Sequence, residues 1–256
     1  MIQTMDRPTP NRVPEVTLDF WLIKLMAVTM GETAADYLAV NLGFGLTATS
    51  LIMAAILVAA LVLQFGQRAY VPWSYWLSVV LISIVGTLIT DNLVDTFHVS
   101  LITATLGFGL ALAATFALWF VSEKTLSIHK VFSFRREAFY WLAILFTFAL
   151  GTAAGDMVAE LFGLGYLATG ILFGMIIASL GLGYAFLGLD PILGFWLAYI
   201  LTRPLGASFG DLLSQPHQYG GMGLGTIITS ALFLAAIIGI VTYMSVTRAA
   251  KSQPSL

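Results

Sequence analysis

The chain has 256 residues, 59% hydrophobic and 9% charged, with a mean hydropathy of +0.94 and a formal net charge of -2. A soluble domain carries about 25% charged residues, so this chain has too few charges to cover a water-facing surface of its length. That balance, with no Cys at all, excludes disordered, nucleic-acid-binding and disulfide-rich secreted classes, and removes thiolate metal sites and cysteine nucleophiles. An integral membrane protein remains.

Residues 1–16, MIQTMDRPTPNRVPEV, are polar and proline-bearing and lack the short apolar core of a signal peptide, so they read as a cytoplasmic tail. A bilayer core about 30 Å thick needs roughly 20 apolar residues per helix. Eight segments meet this, at 17–40, 43–64, 72–96, 99–121, 137–162, 165–187, 190–213 and 224–247. Their apolar runs are continuous rather than alternating, which argues against a β-barrel. The expected organisation is a first four-helix half at 17–121, a basic cytoplasmic linker at 122–136, a second four-helix half at 137–247 and a short cytoplasmic tail at 248–256.

The basic residues set the orientation. Arg7, Arg12, Arg68, Lys124, Lys130, Arg135, Arg136, Arg248 and Lys251, nine of the eleven, fall on one side of an eight-helix arrangement. The loops after helices 1, 3, 5 and 7 carry none. Both termini are therefore expected in the cytoplasm. The other two, Lys24 and Arg203, fall inside helices.

The odd helices repeat one another: FWLIKLMAVTMGETAAD, YWLSVVLISIVGTLITD, YWLAILFTFALGTAAGD and FWLAYILTRPLGASFGD. Each is aromatic-Trp, nine residues, Gly, four residues, Asp. The tryptophans are Trp21, Trp76, Trp141 and Trp196. The glycines are Gly31, Gly86, Gly151 and Gly206, and the acids are Asp36, Asp91, Asp156 and Asp211. Each repeat reads as a two-helix hairpin, so the odd helices run the same way, as direct repeats about an axis near the membrane normal. At 1.5 Å per residue the Gly lies about 15 Å and the Asp about 22 Å beyond the Trp. With Trp as a cytoplasmic interface anchor, Gly falls near the midplane and Asp in the outer half. Small residues around the motif let helix backbones approach. The glycines would serve close packing or a break in the helix, with Pro204-Leu205-Gly206 the strongest candidate for a kink.

Acids inside a bilayer are costly and are normally paired, protonated or hydrated. Glu32, Asp36, Asp91, Asp95, Asp156, Glu160 and Asp211 make seven of thirteen acids on or at the end of odd helices. Glu32/Asp36, Asp91/Asp95 and Asp156/Glu160 are spaced i, i+4, which sets two carboxylates on one face. Two internal cations cannot neutralise seven acids, so the surplus shares protons or binds cations. The donors are all oxygen, which suits Mg²⁺, Ca²⁺, Mn²⁺ or Na⁺. The candidate ion ligands are Asp36, Asp91, Asp156, Asp211 and Glu32. Arg203 reads as an internal counter-ion that mimics or displaces a bound cation. Lys24 reads as a side chain that snorkels to the cytoplasmic interface, and His98 and His217 as surface-loop residues. Gly43-Phe-Gly45, Gly163-Leu-Gly165 and Gly223-Leu-Gly225 read as tight turns, each leading to a Thr bonded to its own helix.

The W-x9-G-x4-D repeat, the GETAAD start and the VPEVTLDFWLIK lead-in resemble a bacterial family of membrane proteins defined by a tandem repeat of unknown function. The likeness covers about residues 13–248. It implies an inner-membrane location and supplies no activity. A looser likeness connects the glycine-flanked acids with small cation/proton exchangers for calcium and manganese, although their Glu-x-Gly-Asp-Lys motif is absent; the nearest stretch is Gly31-Glu32-Thr33-Ala34-Ala35-Asp36.

The expectation is an all-α, eight-span protein built of four two-helix repeats, acting as a secondary transporter or exporter of a small cation coupled to protons. Hard divalent metals such as manganese, calcium or magnesium fit best, and Na⁺ stays open; no cofactor is implied. The partners are the lipid bilayer, a small cation and protons, with no nucleic acid; a homo-oligomer stays open. The alternative is a non-transporting scaffold or sensor whose acids are inter-helix hydrogen-bond partners. An enzyme is not expected, because no Gly-x-Ser-x-Gly or His-Glu-x-x-His motif is present.

Overall fold

The computed structural model describes residues 10–252, and these are helical apart from their connections. Eight α-helices follow in order: α1 (Leu18–Asp36), α2 (Leu46–Phe65), α3 (Pro72–Asp91), α4 (Leu101–Glu123), α5 (Phe134–Asp156), α6 (Gly165–Leu187), α7 (Pro191–Ser214) and α8 (Thr226–Ser252). Local chemistry sets their starts. Thr17, Ser100, Ser133 and Asp190 each turn a side-chain oxygen onto an N–H of the first turn, and Pro72 and Pro191 open α3 and α7 where a missing N–H costs nothing. Seven of the eight helices are long and apolar enough to cross a membrane. The exception is α1, which carries Asp19, Lys24, Glu32 and Asp36 within its 19 residues. The segment expected as a tail at 248–256 is helical as far as Ser252, while residues 1–9 of the N-terminal tail, with Arg7, lie outside the described residues.

The odd helices form an inner ring in which α1 packs on α3, α3 on α5, α5 on α7 and α7 back on α1. The even helices lie outside it. Their best apolar stretches are only 11–17% buried, against 50–72% for α3, α5 and α7. Each even helix packs chiefly on the odd helix of the following repeat: α2 on α3, α4 on α5, α6 on α7, and α8 on α1. The repeats are therefore not self-contained hairpins, as the sequence suggested, but interlocking units closed into a circle. The outer faces present Leu51, Val58, Leu110, Leu167, Leu232 and other exposed apolar side chains, the composition that a lipid-facing surface requires.

At the end where the odd helices begin, their aromatic residues point inward. Trp76, Trp141 and Trp196 are almost fully buried, and only Trp21 is partly exposed. They interleave with Phe20, Tyr75, Tyr140, Phe195 and Tyr199 at ring-centroid distances of 5.0–6.4 Å. The expectation of interface anchors is thus corrected for these three tryptophans. Their indole N–H groups bond internally, to the Tyr70 hydroxyl, the Glu137 carboxylate and the Leu126 carbonyl, so they need no headgroup contact. Residues 11–13 are tied across the same end. Asn11 exchanges hydrogen bonds with Ile128 and Val131, and Arg12 pairs with the buried Glu137 at 2.6 Å.

Candidate functional site

The motif glycines are contact points rather than breaks. The inner helices run without interruption through Gly31, Gly86, Gly151 and Gly206. A Cβ on Gly31 would collide with Ser83, one on Gly86 with Phe148, one on Gly151 with Arg203, and one on Gly206 with Val28. Each of these partners stands three residues before the motif glycine of the next repeat. One register rule therefore closes the whole ring, and it needs a hydrogen in place of a side chain at four positions.

The residue after each glycine faces the axis in the first three repeats: Glu32, Thr87 and Thr152. The fourth repeat has Ala207 there, and its α7 supplies Arg203 instead. The Arg203 Nη2 donates to Glu32 Oε2 at 2.6 Å, to Thr152 Oγ1 at 2.7 Å and to Thr87 Oγ1. Thr87 Oγ1 also donates to Glu32 Oε2 at 3.2 Å. One guanidinium nitrogen thus joins all four inner helices. Arg203 is 1% exposed, and its Nε and Nη1 find no acceptor among the described residues. Thr87 and Thr152 were not singled out in the sequence. The signal that could have found them is the repeated place directly after the glycine.

One turn beyond this pair stand the four aspartates. Asp36, Asp91 and Asp156 are half-buried, and Asp211 is buried. All four lie within electrostatic range of Glu32. Asp36 accepts one long hydrogen bond, from Gln215 Nε2 at 3.4 Å. The side chains of Asp91, Asp156 and Asp211 have neither a hydrogen bond nor an ion pair to the described residues. Asp95 and Glu160 are exposed farther out. The arrangement gathers the expected acids at one end of the ring, yet no group of three or more His, Cys, Asp or Glu among the described residues is close enough to hold a bare metal ion together.

The chain departs from α-helix directly after three of these acids. Tyr37–Asn41, Asn92–Thr96 and Met157–Leu161 form π-helical turns, whereas α7 continues regularly past Asp211 to Ser214. Such turns widen the helix and shift the register of the residues beyond. The glycine pairs then reverse the chain, as expected: Gly43 and Gly45 take φ of 71° and 74°, values that a side chain disfavours. Repeat two lacks the glycines and turns at His98, with φ of 55°. Of the threonines that follow, Thr229 bonds its own helix at Gly225 O, 2.9 Å away, while the buried Thr49 and Thr169 hydroxyls have no partner among the described residues.

Lys24 is placed differently from the expectation. It does not snorkel but is 1% exposed inside the ring. Its Nζ donates to Tyr199 O at 2.8 Å and to Thr202 Oγ1, and sits 3.8 Å from the centre of the Tyr199 ring. The aromatic layer closes the route that a snorkelling chain would take. A separate cavity of about 550 Å³ lies at that end among Trp21, Leu126, Tyr184 and Phe195. Its lining is mostly apolar and includes none of the acids.

No curated protein and no solved structure matches the chain. A family model does, four times, over residues 20–70, 74–125, 139–187 and 194–250. These matches coincide with the four interlocking units and together span most of the sequence. The chain belongs to the family described as Repeat of Unknown Function (DUF347).

Proposed function

We propose that the protein is a secondary transporter of a small cation, coupled to protons, with the four motif aspartates and Glu32 as its ion-attracting site. The observation that carries this reading is that the carboxylates of Asp91, Asp156 and Asp211 have no hydrogen-bond or ion-pair partner among the described residues. Acids within electrostatic range of one another inside a bundle need compensating positive charge, and the cation nearest them among the described residues, Arg203, is already bound to Glu32. Ions or protons are left to balance them. A hard divalent ion such as Mn²⁺, Mg²⁺ or Ca²⁺ suits all-oxygen donors. Mg²⁺ in particular keeps several waters and binds through one or two carboxylates, which fits acids spaced too widely to cage a bare ion. Arg203 is the built-in competitor for Glu32. In this reading α1 is the eighth span, because it occupies the same place in the ring as α3, α5 and α7. The protein sits in a bacterial inner membrane with its termini and the basic 122–136 linker on the cytoplasmic side. No enzymatic step is assigned.

Among the described residues the scaffold reading finds its main support at Glu32. Glu32 is a structural partner of Arg203, whereas among the described residues the aspartates offer only the long bond from Gln215 to Asp36, and Asp91, Asp156 and Asp211 join no helices together. The test is isothermal titration of the purified full chain with Mn²⁺, Ca²⁺, Mg²⁺ and Na⁺ at two pH values, followed by ion flux in proteoliposomes for Asp36→Asn, Asp91→Asn, Asp156→Asn and Asp211→Asn. Saturable binding that weakens in folded variants is the expected result. Folded variants with undiminished flux would overturn the proposal.

A further inference from the structure

Glu32 balances Arg203, but nothing of opposite charge balances Lys24. Among the described residues no carboxylate lies within ion-pair distance of its Nζ, whose acceptors are a carbonyl and a hydroxyl. A buried ammonium with neutral partners alone is expensive. Lys24 nevertheless stands beside the second cation of the core. Its Nζ lies 5.6 Å and the Arg203 Cζ 5.7 Å from the centre of the same Phe148 ring. We infer that Lys24 is the proton-carrying group of the transport cycle, protonated while Arg203 is held by Glu32 and losing its proton when a cation takes Glu32 from Arg203. This rests on the transport reading above and adds to it the coupling group and the sense of exchange, cation against proton.

The charge balance gives the order of events. With Arg203 neutralised by Glu32, Lys24 is the buried cation left without an ion pair among the described residues. A cation at Glu32 leaves Arg203 unneutralised next to Lys24. Arg stays protonated in proteins, so Lys24 yields: its ammonium gives H⁺ to water and becomes the amine, with no other bond made or broken. The coupling is reciprocal. A proton returning to Lys24 favours Arg203 on Glu32 and expels the cation.

The other titratable groups around Lys24 are few. From α7 it meets Arg203 and Tyr199, and Tyr140 of α5 and Tyr75 of α3 adjoin Tyr199 within the aromatic layer. The described part of α8 contributes only the exposed Tyr243, and on α1 itself the nearest acid beyond Asp19 is Glu32, two turns away. Lys24 also reaches α7 next to its weak point. Pro204 offers no N–H to the Ile200 carbonyl, and the ammonium holds the adjoining Tyr199–Thr202 turn, so gaining or losing a proton loosens or fastens α1 on α7.

The experiment counts protons. The purified full chain is titrated with Mn²⁺ in two buffers of different ionisation enthalpy, and the difference in heat gives the protons released per ion. Wild type should release protons. Lys24→Gln, fixed as neutral, and Lys24→Arg, fixed as charged, should each bind Mn²⁺ with one proton fewer per ion. A structural role for Lys24 would alter affinity in these variants and leave the count unchanged, and that result overturns the inference alone. If one variant does not fold, the other decides. Wild-type binding that releases no proton overturns the inference without either variant. Absence of Mn²⁺ binding to wild type fells it together with the divalent-cation reading on which it rests.

Discussion

Val28 of α1 lies against Gly206 of α7, at opposite ends of the sequence, and by this contact the inner ring closes. The same relation holds from Gly31 to Ser83, Gly86 to Phe148 and Gly151 to Arg203. In each case a glycine receives the residue three places before the next repeat's glycine. The fold thus rests on one packing rule used four times, and a methyl group added at the closing contact must push Val28 aside. Overpacking of a tight interface costs about 1–3 kcal/mol. Gly206→Ala is therefore expected to lower the thermal midpoint of the purified protein. Val28→Ala in the same chain should restore part of the loss, because it removes the Cγ1 that the new methyl meets most closely while the Cβ stays. Equal destabilisation in the single and double variants would refute the register rule.

Arg203 and Glu32 supply the second expectation. Removing one partner of a buried pair strands the other, at a cost of about 3–5 kcal/mol. Arg203→Met should be strongly destabilising, since it leaves Glu32 facing Thr87 without its cation. Replacing both partners, in Arg203→Met with Glu32→Gln, should cost less than the sum of the two single changes. The double-mutant cycle, read by thermal or denaturant unfolding, measures the coupling, and strictly additive losses would mean that the pair is not formed.

Much of this was visible in the sequence, for a physical reason. Helices that share a bundle position are constrained alike, so Trp, Gly and Asp recur at fixed spacing, and an uncompensated Arg in mid-helix stands out as a counter-ion. What the spacing could not show was which helix meets which. The pattern places a glycine on a face but says nothing of the partner, so sequence adjacency pairs α2 with α1 whereas it packs on α3. Thr87 and Thr152 looked like ordinary membrane-helix threonines, because their role depends on Arg203 reaching across the axis. Lys24, three residues past Trp21, had the spacing of a snorkelling side chain. Three buried tryptophans and their aromatic neighbours close that path, and such closure is a property of the assembled ring. The π-helical turns after Asp36, Asp91 and Asp156 contain no Gly or Pro to mark them in the sequence.

The aspartates lead to a prediction of opposite sign to the usual one. Most substitutions destabilise, but the Asp91 side chain has no hydrogen-bond partner among the described residues and lies in range of Glu32, Asp36 and Asp156. Asp91→Asn relieves repulsion at little cost in packing. Without divalent ions it should raise stability by about 0.5–1 kcal/mol, a shift in Tm of a few degrees for a chain of this size, roughly 2–4 °C per kcal/mol. Saturating Mn²⁺ should raise the midpoint of wild type more than that of the variant, by linkage to binding. A variant that is less stable than wild type without ions would point to an inter-helix bonding role for Asp91.

The circular packing predicts how the chain tolerates being cut. A break between Glu123 and Ser133 falls in a connection, yet α4, before it, packs on α5, after it, and α8 packs on α1. Each half alone would leave two inner-helix faces bare, with Gly86 lacking Phe148, Gly206 lacking Val28, and Arg203 lacking Glu32 and Thr87. Neither half should form a stable monomer when expressed singly. Co-expressed, the two should rejoin through the α4–α5, α3–α5, α1–α7 and α1–α8 faces and copurify in equal amounts, because the interlock supplies the same contacts with or without the covalent link. Copurification should fall when Gly86→Leu blocks the α3–α5 face, and it should survive Leu110→Ala, which alters a side chain on the outer surface. Independent, well-folded halves would instead mark a boundary in the ring that the continuous α3–α5 packing denies.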